Sequence, residues 1–292
     1  MNRYVRKSLD FILFSNLFIA LCAVAQGLVT YQLVNVKPDK HVLGLLFFST
    51  LALYNFSILI SKPKNPSKSP FRRVQWIFSH YRLMITLTLI AIISCIPLVF
   101  FLSITSQILL MFLGVISLGY SLPLFSFHDK RFGLRNIPGV KLFLIATVWS
   151  LSVVLLPILE IEGKGLIAIL TRDAILLIAK RFLFIAAITV PFDIRDLFQD
   201  KSAALKTIPV LFGEKKAYLI CQAILLTYLV LLFLFTKNLD RNFFALTTTV
   251  LLAGWLIFHS NFKKNEYYYF LFLDGTMILQ FLMLVLFSWI PI

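Results

Sequence analysis

Nine stretches of about twenty mostly apolar residues run through this chain, at roughly 11–33, 41–60, 82–102, 106–125, 139–159, 173–193, 215–236, 243–259 and 268–290. Each is long enough to cross about 30 Å of hydrocarbon at about 1.5 Å per helical residue. In hydrocarbon every backbone N–H and C=O must find its partner within the protein, which leaves helices or closed barrels. None of the nine stretches alternates in the manner of a barrel strand. The pattern therefore predicts an all-α, polytopic membrane protein with residues 1–292 forming one transmembrane domain.

Composition narrows the alternatives. Of 292 residues, 60% are hydrophobic and 14% charged, against about 25% charged in an ordinary soluble domain. Disorder is excluded by hydrophobicity, and a disulfide scaffold by the presence of three cysteines, each inside an apolar run (Cys22, Cys95, Cys221). The basic start Met1–Lys7 leads into an apolar run too long for a cleavable signal sequence.

The net charge is +15, from 28 basic and 13 acidic residues. In a membrane protein this reads as basic residues retained on cytoplasmic loops rather than as a nucleic-acid surface. With nine spans, 20 of the basic residues fall on the side holding the N-terminus and residues 61–81, 126–138 and 194–214, and 6 on the other. The expectation is a cytoplasmic N-terminus and an external C-terminus in a cell inner membrane, with polar chemistry on the cytoplasmic face.

Acids are scarce, so their clustering is informative. Asp193, Asp196 and Asp200 follow one another at spacings of three and seven from the first, which places all three on one helical face. Stacked like charges are unfavourable on an isolated helix. A divalent cation would relieve the repulsion, and Mg²⁺ is held by one or two carboxylates plus water and substrate phosphate. A solvated helix with its acids paired to Arg195, Lys201 and Lys206 is the alternative. Other charges lie inside spans: Asp274 in the ninth, Lys180 and Arg181 in the sixth. Such residues face a cavity or a partner, and an Asp274–Arg181 ion pair is one expectation.

The segment Phe192-Asp193-Ile194-Arg195-Asp196, continuing through Asp200 to Lys206-Thr207-Ile208-Pro209-Val210 and Gly213, resembles the second aspartate-rich motif of the UbiA superfamily of intramembrane prenyltransferases. Gly119-Tyr120-Ser121-Leu122-Pro123 resembles that family's Y-S-x-P element, and Arg135 to Lys141 its approach to span five. The resemblance implies about nine helices around a central cavity and Mg²⁺ held by Asp193, Asp196 and Asp200. It further implies an isoprenyl diphosphate donor and a lipophilic or aromatic acceptor. The family's first motif, N-D-x-x-D-x-x-x-D, is degenerate here: Asn55 matches its asparagine, and Phe56 and Leu59 stand at its first two aspartates. Asn55, Tyr120 and Lys206 are candidate substrate-binding residues by motif position. Lys62, Lys64, Arg72 and Arg73 are candidates to neutralise phosphate oxygens directly. Three readings follow: a prenyltransferase, a non-catalytic isoprenoid- or lipid-binding relative, and a structural subunit of a membrane complex. Membrane lipid is a partner in all three, and the basic loop 62–73 also suits anionic headgroups.

Overall fold

In a computed structural model the protein is described over residues 3–122, 125–127, 130–134, 137, 139–202, 205–236, 239–261 and 263–290. Pro123, Arg135 and Pro138, in two of the segments that carry the family resemblance, lie outside the described residues. The helices are α1 (Arg3–Phe14), α2 (Leu17–Leu33), α3 (Lys40–Ile60), α4 (Arg72–Ser79), α5 (Tyr81–Phe100), α6 (Ile104–Ser121), α7 (Val140–Ser150), α8 (Leu156–Gly163), α9 (Thr171–Arg195), α10 (Leu197–Ser202), α11 (Ile208–Phe212), α12 (Glu214–Phe235), α13 (Arg241–Phe258) and α14 (Gly275–Ser288). A short antiparallel ribbon, Phe125–Phe127 with Lys130–Phe132, lies in what the sequence reads as a plain loop.

Among the described residues eight helices are long and apolar enough to cross a membrane, counting α7 and α8 as one, and nine if the bent pair α1–α2 counts as a span. The protein is an integral, multi-pass membrane protein. The first expected span, 11–33, is not straight: α1 and α2 meet at 62°. The cause is Asn16, left-handed at φ 67°, a conformation that asparagine tolerates better than most residues and that a helix cannot continue through. Two π-helical turns interrupt other spans, Leu151–Leu155 between α7 and α8 and Tyr268–Leu273 before α14.

The core is built where α2, α7, α9, α12, α13 and α14 converge, around Phe184, Ala187, Tyr228, Leu246 and Leu273. Small residues such as Ala23, Ala187 and Ala253 are wholly buried and let helix backbones approach closely. The outward faces stay apolar: Ile93, Ile96, Met111, Val115, Leu226 and Phe233 are all exposed, as a hydrocarbon surround requires. The exposed rows suit a lipid-facing surface.

A polar tie runs through this core. Arg181 on α9 donates to the side-chain oxygens of Gln26 on α2 and Gln280 on α14. Gln26 donates to the Met277 carbonyl at 2.7 Å, and Gln280 to the Tyr228 hydroxyl at 3.4 Å. The expected Asp274–Arg181 pair is thus replaced by two glutamines. Asp274 lies instead beside a cavity at the motif end of the bundle.

Candidate functional site

The family-like motif sits where α9 stops. Asp193 is on the last turn of α9, Asp196 caps that helix at φ −89° and ψ 7°, and Asp200 lies on α10. The single continuous helix that would put all three on one face is interrupted at Asp196, and each carboxylate has a different setting. Asp193 is buried and accepts a 2.6 Å hydrogen bond from Lys141 Nζ. Asp196 receives two hydrogen bonds from the neighbouring Arg195, at 2.7 and 3.0 Å. Asp200 is buried. Burial pushes its carboxyl above the ordinary range, and Lys141 pulls the other way.

Lys141 reaches Asp193 because Gly139, at φ 73°, turns the chain directly into α7. A Cβ there would be strained by that backbone angle. Arg195 is enclosed by aromatic rings: its guanidinium lies 5.1–5.4 Å from the centroids of Phe71, Phe192, Tyr269 and Phe270. Cation–π attraction is strongest where water is excluded, so this cage holds Arg195, and through it Asp196, in one orientation.

Opposite the motif, Asn55 on α3 is wholly buried. It accepts from Asn16 Nδ2 at 2.6 Å, and Asn16 in turn accepts from Arg73. The Arg73 backbone N–H donates to Glu266 at 2.9 Å, and its guanidinium lies 4.4 Å from the Phe270 centroid. Arg72, on the other side of α4, donates to Asp10 of α1 and, at 2.6 Å, to the Tyr267 hydroxyl. The first turn of α4 is therefore fastened to α1, to the α1–α2 bend and to the start of the last span.

Two cavities meet at this end. The larger, of about 390 Å³, lies between α3, α6 and α7 and is lined by Tyr54, Ser57, Arg73, Tyr120, Val148 and Trp149 among others. The smaller, of about 160 Å³, is lined by Asn16, Lys141, Asp193 and Asp274. Tyr54, Arg73, Ile145 and Trp149 border both. Trp149 Nε1 donates to the Tyr54 hydroxyl at 3.3 Å, which fixes both rings on the partition.

Of the sequence-derived candidates, Arg73 and Tyr120 line the larger cavity, Asp193 the smaller, and Asn55 reaches Arg73 through Asn16. The others lie elsewhere, and Asp196 and Asp200 are in the lining of neither of these two cavities. Lys62 is exposed, with Nζ over the rings of Phe78 and Tyr81; Lys64 and Lys206 are exposed; Arg72 is committed to Asp10 and Tyr267. Sequence reasoning missed Lys141, Arg195, Tyr54 and Trp149 as site residues. Arg195 had a signal in its place within the motif, and Lys141 in its position two residues into a span.

The donor set does not fit the expected Mg²⁺ site. Two of the three carboxylates are paired with cationic side chains, and Phe56 and Leu59 offer no ligands from the facing helix. Among the described residues no three His, Cys, Asp or Glu side chains are grouped to hold a metal.

A multi-pass helical membrane protein with a mostly apolar cavity that meets the Arg73 guanidinium defines the class. The family model of the UbiA prenyltransferase family matches residues 78–268, and the chain belongs to that family. No curated protein matches the chain in sequence. Solved structures share the fold. A UbiA homolog from Archaeoglobus fulgidus bound to DMAPP and Mg²⁺ is 14% identical with a TM-score of 0.65, over 96% of this chain and 98% of that one. An apo UbiA homolog from Aeropyrum pernix K1 is 13% identical with a TM-score of 0.58, over 96% of each chain. A structure of digeranylgeranylglyceryl phosphate synthase is 14% identical with a TM-score of 0.57, over 98% of each.

Proposed function

We propose that this protein is a membrane prenyltransferase that takes an isoprenyl diphosphate as donor and a lipophilic or aromatic acceptor. The observation that carries the reading is the cavity of about 390 Å³ with Tyr54, Tyr120 and Trp149 in its wall and one charged side chain, Arg73, in its lining. Its size suits a small-molecule site, and its polarity runs in the sense that an apolar tail with an anionic head requires. In the reaction the allylic C–O bond breaks, the diphosphate leaves with the electron pair, and the acceptor's nucleophilic atom bonds the allylic carbon and then loses a proton. The rings of Tyr54 and Trp149 suit a developing carbocation, and the Arg73 guanidinium suits the charge that grows on the leaving group. No step is assigned to a metal.

Labelled isoprenyl diphosphates incubated with the purified protein and a lipid extract test this. Wild type is expected to move label into a lipophilic product. Ser57→Phe, which fills part of the cavity, is expected to lose at least about tenfold of that rate, the scale of a misplaced substrate. The pairing of Asp193 with Lys141 and of Asp196 with Arg195 favours a second reading, binding of an isoprenoid without transfer. Label retained on the protein with no product in any extract would establish it. Fixed partners on native gels, with neither product nor retained label, would leave the structural-subunit reading.

The distribution of basic residues supports a cytoplasmic N-terminus and motif end. Reporter fusions are expected to place the N-terminus and the Lys62–Ser69 segment inside and the end of α14 outside. Both termini on one side would remove α1–α2 or another helix from the count of spans.

A further inference from the structure

We propose that Arg73 itself, without a divalent cation, receives the phosphate head of the amphiphile that fills the larger cavity. The proposal rests on the reading above and specifies how its donor is held. Arg73 is the charged residue in the lining of that cavity. The other basic groups at this end are committed: Lys141 to Asp193, Arg195 to Asp196 and Arg72 to Asp10. The Arg73 guanidinium has no carboxylate within ion-pairing distance among the described residues. Its bonded partner is the neutral side chain of Asn16, its flat face meets the ring of Phe270, and its Nε is buried without a hydrogen-bond partner.

The electrostatics agree with that geometry. Burial, and after it the charge of Arg195, bring the Arg73 guanidinium down to about 10; Asp274 and Glu266 act in the opposite sense without offsetting them. A partly buried cation this poorly compensated, with its Nε shut off from water, is costly in the empty site. An entering phosphate supplies the missing charge and an acceptor for the idle N–H groups, in the planar geometry that guanidinium offers oxyanions. Arg73 also borders both cavities, so a head at its guanidinium leaves the tail beside Tyr54, Tyr120 and Trp149. On the facing helix, where the resemblance would put metal-binding aspartates, Asn55 holds Asn16, and Asn16 positions Arg73.

The test is binding of geranyl diphosphate to the protein in lipid nanodiscs, in EDTA and in Mg²⁺, with geraniol as the uncharged control. Affinity is expected to change by less than about threefold between EDTA and Mg²⁺. Arg73→Gln, which removes the charge and keeps an N–H near the position of Nε, is expected to weaken binding about tenfold or more, as loss of a charge-assisted contact does, with Arg73→Lys in between and geraniol unaffected by either. If Arg73→Gln fails to fold, the Arg73→Lys loss together with metal-free competition by inorganic pyrophosphate decides. Binding that disappears in EDTA, or geraniol binding as tightly as its diphosphate, overturns the proposal and leaves the prenyltransferase reading standing. Metal-free, Arg73-dependent binding with no transfer to any acceptor upholds the proposal and overturns the transferase reading. No binding of geranyl diphosphate under either condition defeats both.

Discussion

Lys141→Met is expected to destabilise the protein by about 3–5 kcal/mol, the usual consequence of removing one partner of a buried ion pair. Asp193 is 3% exposed and its Oδ1 lies 2.6 Å from Lys141 Nζ. Without the lysine, a carboxylate is left in a site that water barely reaches, between α7 and α9. The second substitution separates this account from a metal-ligand account. In the pair Lys141→Met with Asp193→Leu, both desolvation costs disappear together, and most of the lost stability should return. Denaturant unfolding in detergent micelles, with the two single variants and the double, completes the cycle. A double variant as unstable as the sum of the singles would mean that the two side chains act independently. Stabilisation of Lys141→Met, but not of wild type, by added Mg²⁺ would show that the lysine stands where a cation otherwise binds.

Gln26→Leu is expected to cost about 2–3 kcal/mol, the range for a hydrogen bond to a charged group. Its side-chain oxygen accepts from Arg181, and its amide holds the Met277 carbonyl at 2.7 Å and Gln280 at 3.1 Å. The substitution preserves volume and improves apolar character, so a hydrophobicity argument alone predicts gain. The loss arises because Arg181 is 5% exposed and would keep Gln280 as its remaining side-chain partner among the bonds described. Gln26→Leu combined with Arg181→Met should recover most of the difference. If Gln26→Leu alone is neutral or stabilising, the glutamine tie across α2, α9 and α14 does not hold this charge.

Much of the fold is legible in the sequence because hydrocarbon leaves so few solutions. The runs 41–60, 82–102 and 215–236 correspond to α3, α5 and α12 within a few residues. The narrow break near Thr105 is real: α5 ends at Phe100 and α6 begins at Ile104, with Ser103 accepting from Ser106 N as its cap. The bend in the first span is hidden in the sequence because its hydropathy continues through Asn16. One left-handed residue redirects a helix and changes mean hydropathy hardly at all. The β ribbon in the 126–138 loop escaped for a related reason: three-residue strands carry no usable periodicity.

The site was legible in part. Asp193, Asp196 and Asp200 announce themselves because acids are rare in such a chain, and Asn55 by its place in a degenerate motif. Four basic residues, Lys62, Lys64, Arg72 and Arg73, are equivalent in the sequence as groups to meet a phosphate. Adjacent helical positions point about 100° apart, so Arg72 turns to Asp10 and Tyr267 while Arg73 turns to the cavity. Lys62 and Lys64, before α4 begins, remain outside.

What the sequence by itself determined is the class: helices that must satisfy their own backbones, enough of them to cross a membrane many times, and a motif that ties the chain to one family. Tertiary structure alone decided which charges meet. Lys141 and Asp193 are 52 positions apart, Arg73 and Asn16 57, and Arg181 and Gln26 155. Such pairs arise from helix packing, and no local pattern of hydropathy or spacing records them. In a medium where an unpaired charge is so costly, those long-range meetings decide which acids have a cationic partner.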